Sequence, residues 1–474
     1  MIHSLDPLRR TRFASHAPLA AAALLLVFGT WSAAQSVRTT PSPRASLLRL
    51  PDGVRIEYPA DERVQTVDKA GRPAIARVYL RAGATVIVLL PDGTLVQTQA
   101  SKLAPTERPF KAIGKGDLIE RLKKAFPEMD VRAAKGYVFV SNTSETFREV
   151  TERILTTMLP GIRRYAKKQK IATHDPEFPL VVLMFRTRAE FDRHKRVAKE
   201  IAAYYSPWTN HIVLYEETPM FRVNRQAAIG QTLSTIAHEG VHQILHNIGV
   251  QARLSKWPMW LSEGMAEYFA PTQPGKRFRW KGAGTVNDLR MLELEIFIKA
   301  KAFDAEPGSM IAQTVGATRL TSTGYASAWA LTHYLATRQA TTFDDLLRDL
   351  VTLRPLETVG TADGKGRVPA NLELFHKYFG EDDVKTERQL LRHLQRLPYR
   401  DPFAQFPKVV AVVRYRHKGR AMWRGNVFPN QSSAEAWSRG LMKRLDEDAR
   451  PQATLRVVPN RRAGEILLRQ LGGG

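Results

Sequence analysis

The stretch Ile236-Ala237-His238-Glu239-Gly240-Val241-His242-Gln243-Ile244 lies inside a helical pattern. Ile229, Leu233, Ile236, Val241, Ile244 and Ile248 recur at helical spacing and predict a helix over about 225–248, with Gly249 suited to its C-terminal cap. Residues i and i+4 of a helix share one face, with Cβ atoms about 5–6 Å apart. His238 and His242 can therefore converge on one ion, and Zn–N bonds of about 2.0–2.1 Å suit that separation. Glu239 projects about 100° round the axis from His238. It stands beside such an ion, where a base must sit to take a proton from an attacking water.

Working outward, Trp257-Pro258-Met259-Trp260-Leu261-Ser262-Glu263-Gly264-Met265-Ala266-Glu267-Tyr268-Phe269 follows. Glu263 comes 21 residues after His242, enough chain to end one helix, turn and pack a second, over about 260–270, against the first. Glu263 and Glu267 are again i and i+4. One carboxylate can ligate a metal while the other accepts the outer N–H of a ligand histidine, which fixes that ring's tautomer. The alternative is two solvated glutamates on a helix surface.

His238-Glu239-x-x-His242 followed by Trp260-Leu261-x-Glu263-Gly264-x-Ala266 resembles the gluzincin superfamily of zinc metallopeptidases, and more narrowly a group of exported bacterial proteins with a peptidase-like domain. The resemblance covers about residues 130–345. It implies one Zn2+ per chain held by His238, His242 and Glu263, Glu239 as the general base, and Glu267 as the carboxylate behind a ligand histidine. It also offers Tyr325, which opens Tyr325-Ala326-x-x-Trp329-Ala330-Leu331-x-His333, as donor to the oxyanion of the tetrahedral intermediate. An aromatic anchor in a core helix is the competing reading of Tyr325. His333 is a poorer candidate for the same role, and His246 lies too far along the helix axis to share the ion. Metzincins need Gly at 245 and His at 248, where this chain has Leu245 and Ile248.

The 474 residues contain no cysteine, which excludes disulfides, iron–sulfur clusters, thiolate-bound zinc and cysteine nucleophiles. Hydrophobic residues at 43% and charged residues at 25% exclude wholesale disorder. Arg9, Arg10 and Arg12 precede an apolar run from Pro18 to Phe28 and the small residues Ser32-Ala33-Ala34. That order predicts a signal peptide over 1–34 cleaved near Ala34, hence a periplasmic or secreted protein, with an uncleaved membrane anchor as the alternative. The net charge of +25 bears on partners and not on fold.

Beyond a Pro/Ser linker at 35–45, short alternating runs over 46–106 predict a small SH3-like β-barrel, with Pro91-Asp92-Gly93 as one of its turns. Residues 107–400 form the expected zincin-like metallopeptidase domain, α/β at first and mostly helical in its second half. Its N-terminal part holds Tyr137–Val140, a helix interrupted at Pro160-Gly161, and the buried strand Leu180–Phe185. His211–Tyr215 is a candidate edge strand against which an extended peptide could lie. Residues 403–474 read as a small α+β module, with strands at 409–413 and 454–458 around a helix near 433–445. Fourteen Lys/Arg against five Asp/Glu make this module about +9. The expected fold class is thus multidomain α+β.

Two functions follow as expectations. The first is an exported zinc metallopeptidase that hydrolyses amide bonds of a protein or peptide substrate. The second is a non-catalytic extracytoplasmic protein whose metal site is degenerate or structural. In that reading the C-terminal module, with Arg414, Arg416, Lys418, Arg420 and Arg424 around Trp423, holds an anionic cell-envelope polymer or membrane surface. No RNA-binding aromatic signature, zinc finger or helix-turn-helix cue points to a specific nucleic acid.

Overall fold

Alternating apolar residues build the first sheet from β1 (Ile56–Glu57), β2 (Arg63–Val67), β3 (Pro73–Ala82), β4 (Thr85–Leu89), β5 (Leu95–Gln99) and β6 (Ala104–Pro105). A computed structural model provides the coordinates and describes residues 54–68, 71–199, 201–217, 225–273, 279–301, 306–359 and 370–472. The expected signal peptide and linker lie outside these residues. The strand order is β5-β4-β3-β2-β6, with β1 also on β3, so the sheet stays open where a closed barrel was expected.

The reason is visible in the packing. A bulge between Val78 and Leu80 shifts the register of β3 on β4. It sends Ala76 and Val78 to one face and Leu80 and Ala82 to the other. The second face is covered from outside by Phe178, Trp208 and Leu254, so closure is not needed to bury it. Arg253 Nη1 donates to Gly93 O at 2.7 Å and fixes the sheet to the rest of the chain.

The second sheet contains β7 (Asp130–Ala134), β8 (Tyr137–Ser141), β9 (Leu180–Phe185), β10 (Ala203–Ser206) and β11 (His211–Tyr215), in the order β10-β11-β9-β8-β7. β8, β9 and β11 are parallel, while β10 runs antiparallel to β11. The expected edge strand His211–Tyr215 is therefore internal, and Ala203–Ser206 forms the edge. Asn210, at φ +63°, makes the tight turn that folds the short strand back outside the longer one.

The helices before the motif are α1 (Lys115–Ala125), α2 (Glu145–Lys168) and α3 (Arg188–His194). α2 runs unbroken through Pro160, contrary to the interruption read from Pro160-Gly161. Gly161 serves a different purpose: a Cβ there would run into the Trp280 ring. Ser144 caps α2, accepting from the Phe147 N–H at 3.3 Å.

From residue 225 onward come α4 (Arg225–Asn247), α5 (Met259–Phe269), the short strands β12 (Thr272–Gln273) and β13 (Arg279–Trp280), α6 (Asp288–Lys301), α7 (Ser309–Gly316), α8 (Ser322–Arg338), α9 (Ala340–Val351), α10 (Ala370–Phe379) and α11 (Asp383–Gln395). One core joins α2, α4, α5 and α8 through Leu155, Met158, Ile236, Val241, Leu261 and Trp329. Gly249 takes φ +86° just past α4, as its place in the sequence predicts. Among the described residues no helix is long and apolar enough to cross a membrane.

The last unit is a three-stranded antiparallel sheet of β14 (Lys408–His417), β15 (Arg420–Phe428) and β16 (Gln452–Val458), in the order β15-β14-β16. α12 (Gln431–Lys443) covers one face and α13 (Arg461–Gly472) the other. β15 and α13 are additions to the strand–helix–strand pattern read from the sequence. The molecule as a whole is mixed α+β.

Candidate metal centre

α4 presents His238 and His242 one turn apart, and α5 brings Glu263 across to them. His238 Nε2 lies 3.1 Å from Glu263 Oε2 and 3.3 Å from His242 Nε2. His242 Nε2 lies 3.4 Å from Glu263 Oε2. An ion with four tetrahedral bonds of about 2.0–2.1 Å separates its donor atoms by about 3.3 Å. The three atoms thus already stand at the corners that such an ion requires, and this triad could hold a metal ion.

Burial decides between this arrangement and a pair of surface glutamates. Glu263 is 3% exposed and Glu267 is 2% exposed, so neither is a solvated helix-surface carboxylate. The close approach of elements that buries them depends on glycines inside the motifs. At Gly240 a Cβ would run into Leu155 of α2, and at Gly264 it would meet Thr332 and the Ala328 carbonyl of α8.

Glu267 lies behind the site. Its Oε1 is 3.0 Å from His238 Nδ1, although the ring is not turned to aim an N–H squarely at it. Arg290 Nη2 donates to the same oxygen at 2.6 Å, and Asn287 Nδ2 donates to Oε2 at 3.0 Å. Burial alone would raise the Glu267 pKa. The Arg290 charge, the nearby His238 and the hydrogen bond from Arg290 outweigh it and hold the carboxyl at about 2. Burial likewise works against protonation of His238, but the hydrogen bond to Glu263 and the neighbouring Glu267 and Glu239 carboxylates push it up to about 10. The pocket is therefore built for positive charge between its carboxylates.

Glu239 is held from the second sheet. Its Oε2 accepts the backbone N–H of Tyr205, on the edge strand β10, at 2.6 Å. The Tyr205 hydroxyl is in turn 2.9 Å from Asn210 Oδ1, and Asn210 is tied to Asn247 and Gln243 of α4. This buried amide network anchors the β10–β11 hairpin to the helix that carries the motif.

The remaining candidates separate cleanly. The Tyr325 ring lies 6.0 Å from that of His238, with the Arg290 guanidinium 5.4 Å over it, so α8 does bring this tyrosine to the site. His246 Nδ1 donates to the carbonyl of His242 at 2.7 Å and so turns back on its own helix. His333 is engaged elsewhere, 3.1 Å from Gly284 O and 2.9 Å from His393.

Asn287 and Arg290 were not found by reading the sequence. The available signal was Asn287 ahead of Asp288, a helix N-cap pattern, and Asn287 Oδ1 does accept the Arg290 N–H at 3.3 Å. Nothing local indicated that both side chains would also close on Glu267. No curated protein matches the chain. A family model described as a protein of unknown function (DUF1570) matches residues 232–357, a span that takes in His238, Glu239, His242, Glu263, Glu267, Asn287, Arg290 and Tyr325.

Proposed function

We propose that this chain is a zinc-dependent hydrolase of the gluzincin type that cuts amide bonds outside the cytoplasm. The observation that carries the reading is the triangle of His238, His242 and Glu263 donor atoms, with edges of 3.1–3.4 Å. Two neutral imidazoles and one carboxylate are a donor set that suits zinc and leaves a corner of the tetrahedron for a reacting group. Bound there, zinc would supply Lewis acidity and lower the pKa of a water to about 7.

The chain's own residues then have separable tasks. Glu239 accepts the proton of the attacking water and returns it to the leaving amine. The Tyr205 N–H holds that carboxylate at the side of the triad where the edge strand runs. An extended peptide laid along β10 would bring its scissile carbonyl past Glu239. Tyr325, whose ring lies beside His238 and under the Arg290 charge, would donate to the developing oxyanion. The antiparallel edge strand beside the motif helix also supports the zincin-like reading of the core.

The test is hydrolysis of a fluorescent-quenched peptide mixture by the wild-type chain and by Glu239→Gln. The wild type should cleave, and chelation should stop it. Glu239→Gln should keep its metal and lose about 10²–10⁴ in turnover, the usual share of general acid–base catalysis. Undiminished cleavage by the variant would remove Glu239 from this role.

A further inference from the structure

Between Asp401 and Glu435 the chain has no acidic residue and six cationic ones: Lys408, Arg414, Arg416, Lys418, Arg420 and Arg424. Lys408 is buried, 3.3 Å from Asp401, at the base of the C-terminal sheet. The other five are exposed on the far part of the β14–β15 ribbon. β16 pairs with β14 only from Lys408 to Arg414, whereas β15 follows β14 to the His417↔Arg420 pair. The ribbon thus projects past its own sheet. Among the described residues none of its five cations has a carboxylate within ion-pair distance. Other arginines here do, as Arg290 and Arg461 show.

The pairing register assigns the faces. Val413↔Arg424, Tyr415↔Met422 and His417↔Arg420 share one face, and Arg414↔Trp423 and Arg416↔Ala421 share the other. Successive same-face residues on a strand are about 6.6–6.8 Å apart. That is comparable with the phosphate-to-phosphate step of an extended polyol-phosphate chain. The base of the ribbon is rigid, because Arg461 holds Glu295 of α6 at 2.9 and 3.0 Å and Lys299 donates to Val427 O at 3.3 Å.

Scattered charge protects edge strands from aggregation, but that role does not require five like charges with no counter-charge. A bilayer is a poor fit. A flat surface reaches one face of a ribbon, and the exposed apolar contribution is essentially Met422, at 44%. A single-stranded nucleic acid fits no better, because base stacking needs exposed rings and Tyr415 and Trp423 are half-buried. What suits cations on both faces is a flexible, linear, base-free polyanion that can pass around the ribbon. We propose that the β14–β15 ribbon binds a polyol-phosphate chain, with Arg414 and Arg416 meeting phosphates on one face, Arg420 and Arg424 on the other, and Lys418 at the turn between them. The proposal stands without the hydrolase reading.

The test is fluorescence anisotropy of labelled poly(glycerol phosphate) with the full chain between 50 and 200 mM salt. Five contacts predict a log–log salt slope of about −3.5, a loss of roughly a hundredfold over that range. Arg414→Gln/Arg416→Gln/Arg420→Gln should reduce the slope to about −1.4 and weaken binding at least tenfold at 50 mM. The corresponding triple Lys variant should retain binding. Lys385→Gln/Arg392→Gln/Arg396→Gln removes equal charge from the cleft where α8, α10 and α11 meet, and should leave the slope unchanged. Equal losses in the two Gln triples would overturn the proposal. So would tenfold tighter binding to oligodeoxythymidylate of the same phosphate number, or binding to phosphatidylglycerol vesicles with none to the polymer. Thermal unfolding of each variant separates lost binding from lost fold.

Discussion

Arg290 Nη2 and His238 Nδ1 approach the same oxygen, Glu267 Oε1, at 2.6 and 3.0 Å. The guanidinium on α6 therefore sets the charge and position of a carboxylate that backs a histidine on α4. Groups behind a ligand typically change metal affinity 10–100-fold when removed. Arg290→Gln should weaken zinc binding by that factor while the chain stays folded, as competition against a chromophoric chelator would show. Unchanged affinity would mean that Glu267 keeps its place without Arg290.

Close packing of α5 on α8 yields a second expectation. A Cβ at Gly264 would lie 2.7 Å from the Ala328 carbonyl oxygen as well as against Thr332, and the backbone atom cannot rotate away. At Gly240 the obstacle is the end of the Leu155 side chain, which can. Gly264→Ala should cost about 1–3 kcal/mol in urea unfolding, and Gly240→Ala clearly less. The reverse order would show that the α5–α8 contact is looser than the geometry implies.

A third expectation concerns acid. Arg338 Nε donates to His393 Nδ1 at 3.3 Å, so His393 Nε2 must donate to His333 Nδ1 (2.9 Å) and His333 Nε2 to Gly284 O (3.1 Å). The chain needs both rings neutral. Burial, with His333, Arg338 and Arg396 nearby, lowers His393 to about 4. A depressed histidine contributes stability that is full above its unfolded pKa of about 6.5 and is lost as pH falls towards 4. Stability should therefore drop between pH 6.5 and 4, by about 1–2 kcal/mol once solvent screening of this ring is allowed for, and the drop should shrink in His393→Gln. A pH profile identical in the two proteins would remove this pair as its source.

The sequence revealed the ends of this site better than its middle. His238 and His242 follow from helical spacing, because i and i+4 on one helix leave few choices. Spacing also puts Glu263 and Glu267 on the next helix, while the resemblance to gluzincins is what singles out Glu263 as the ligand. Their support did not follow. Asn287 and Arg290 reach Glu267 from a separate helix, and Tyr205 acts through its backbone N–H, which no side-chain pattern encodes. The edge lies one strand earlier than the sequence suggests because His211–Tyr215 is the more apolar run, and the more apolar strand of the hairpin is the one that becomes internal. The open first sheet was read as a barrel because nothing in residues 46–106 announces that Phe178, Trp208 and Leu254 will cover it. β15 escaped notice because Gly425 and its cations spoil the alternation that marks a strand.

Everything proposed for catalysis rests on one ion held by His238, His242 and Glu263. The most direct test is the zinc content of the purified chain, by elemental analysis, beside that of His242→Ala and Glu263→Ala. The account predicts one zinc per wild-type chain and essentially none in either variant, with circular dichroism showing that both remain folded. A wild-type chain that takes up no zinc, or variants that keep the full amount, would contradict it.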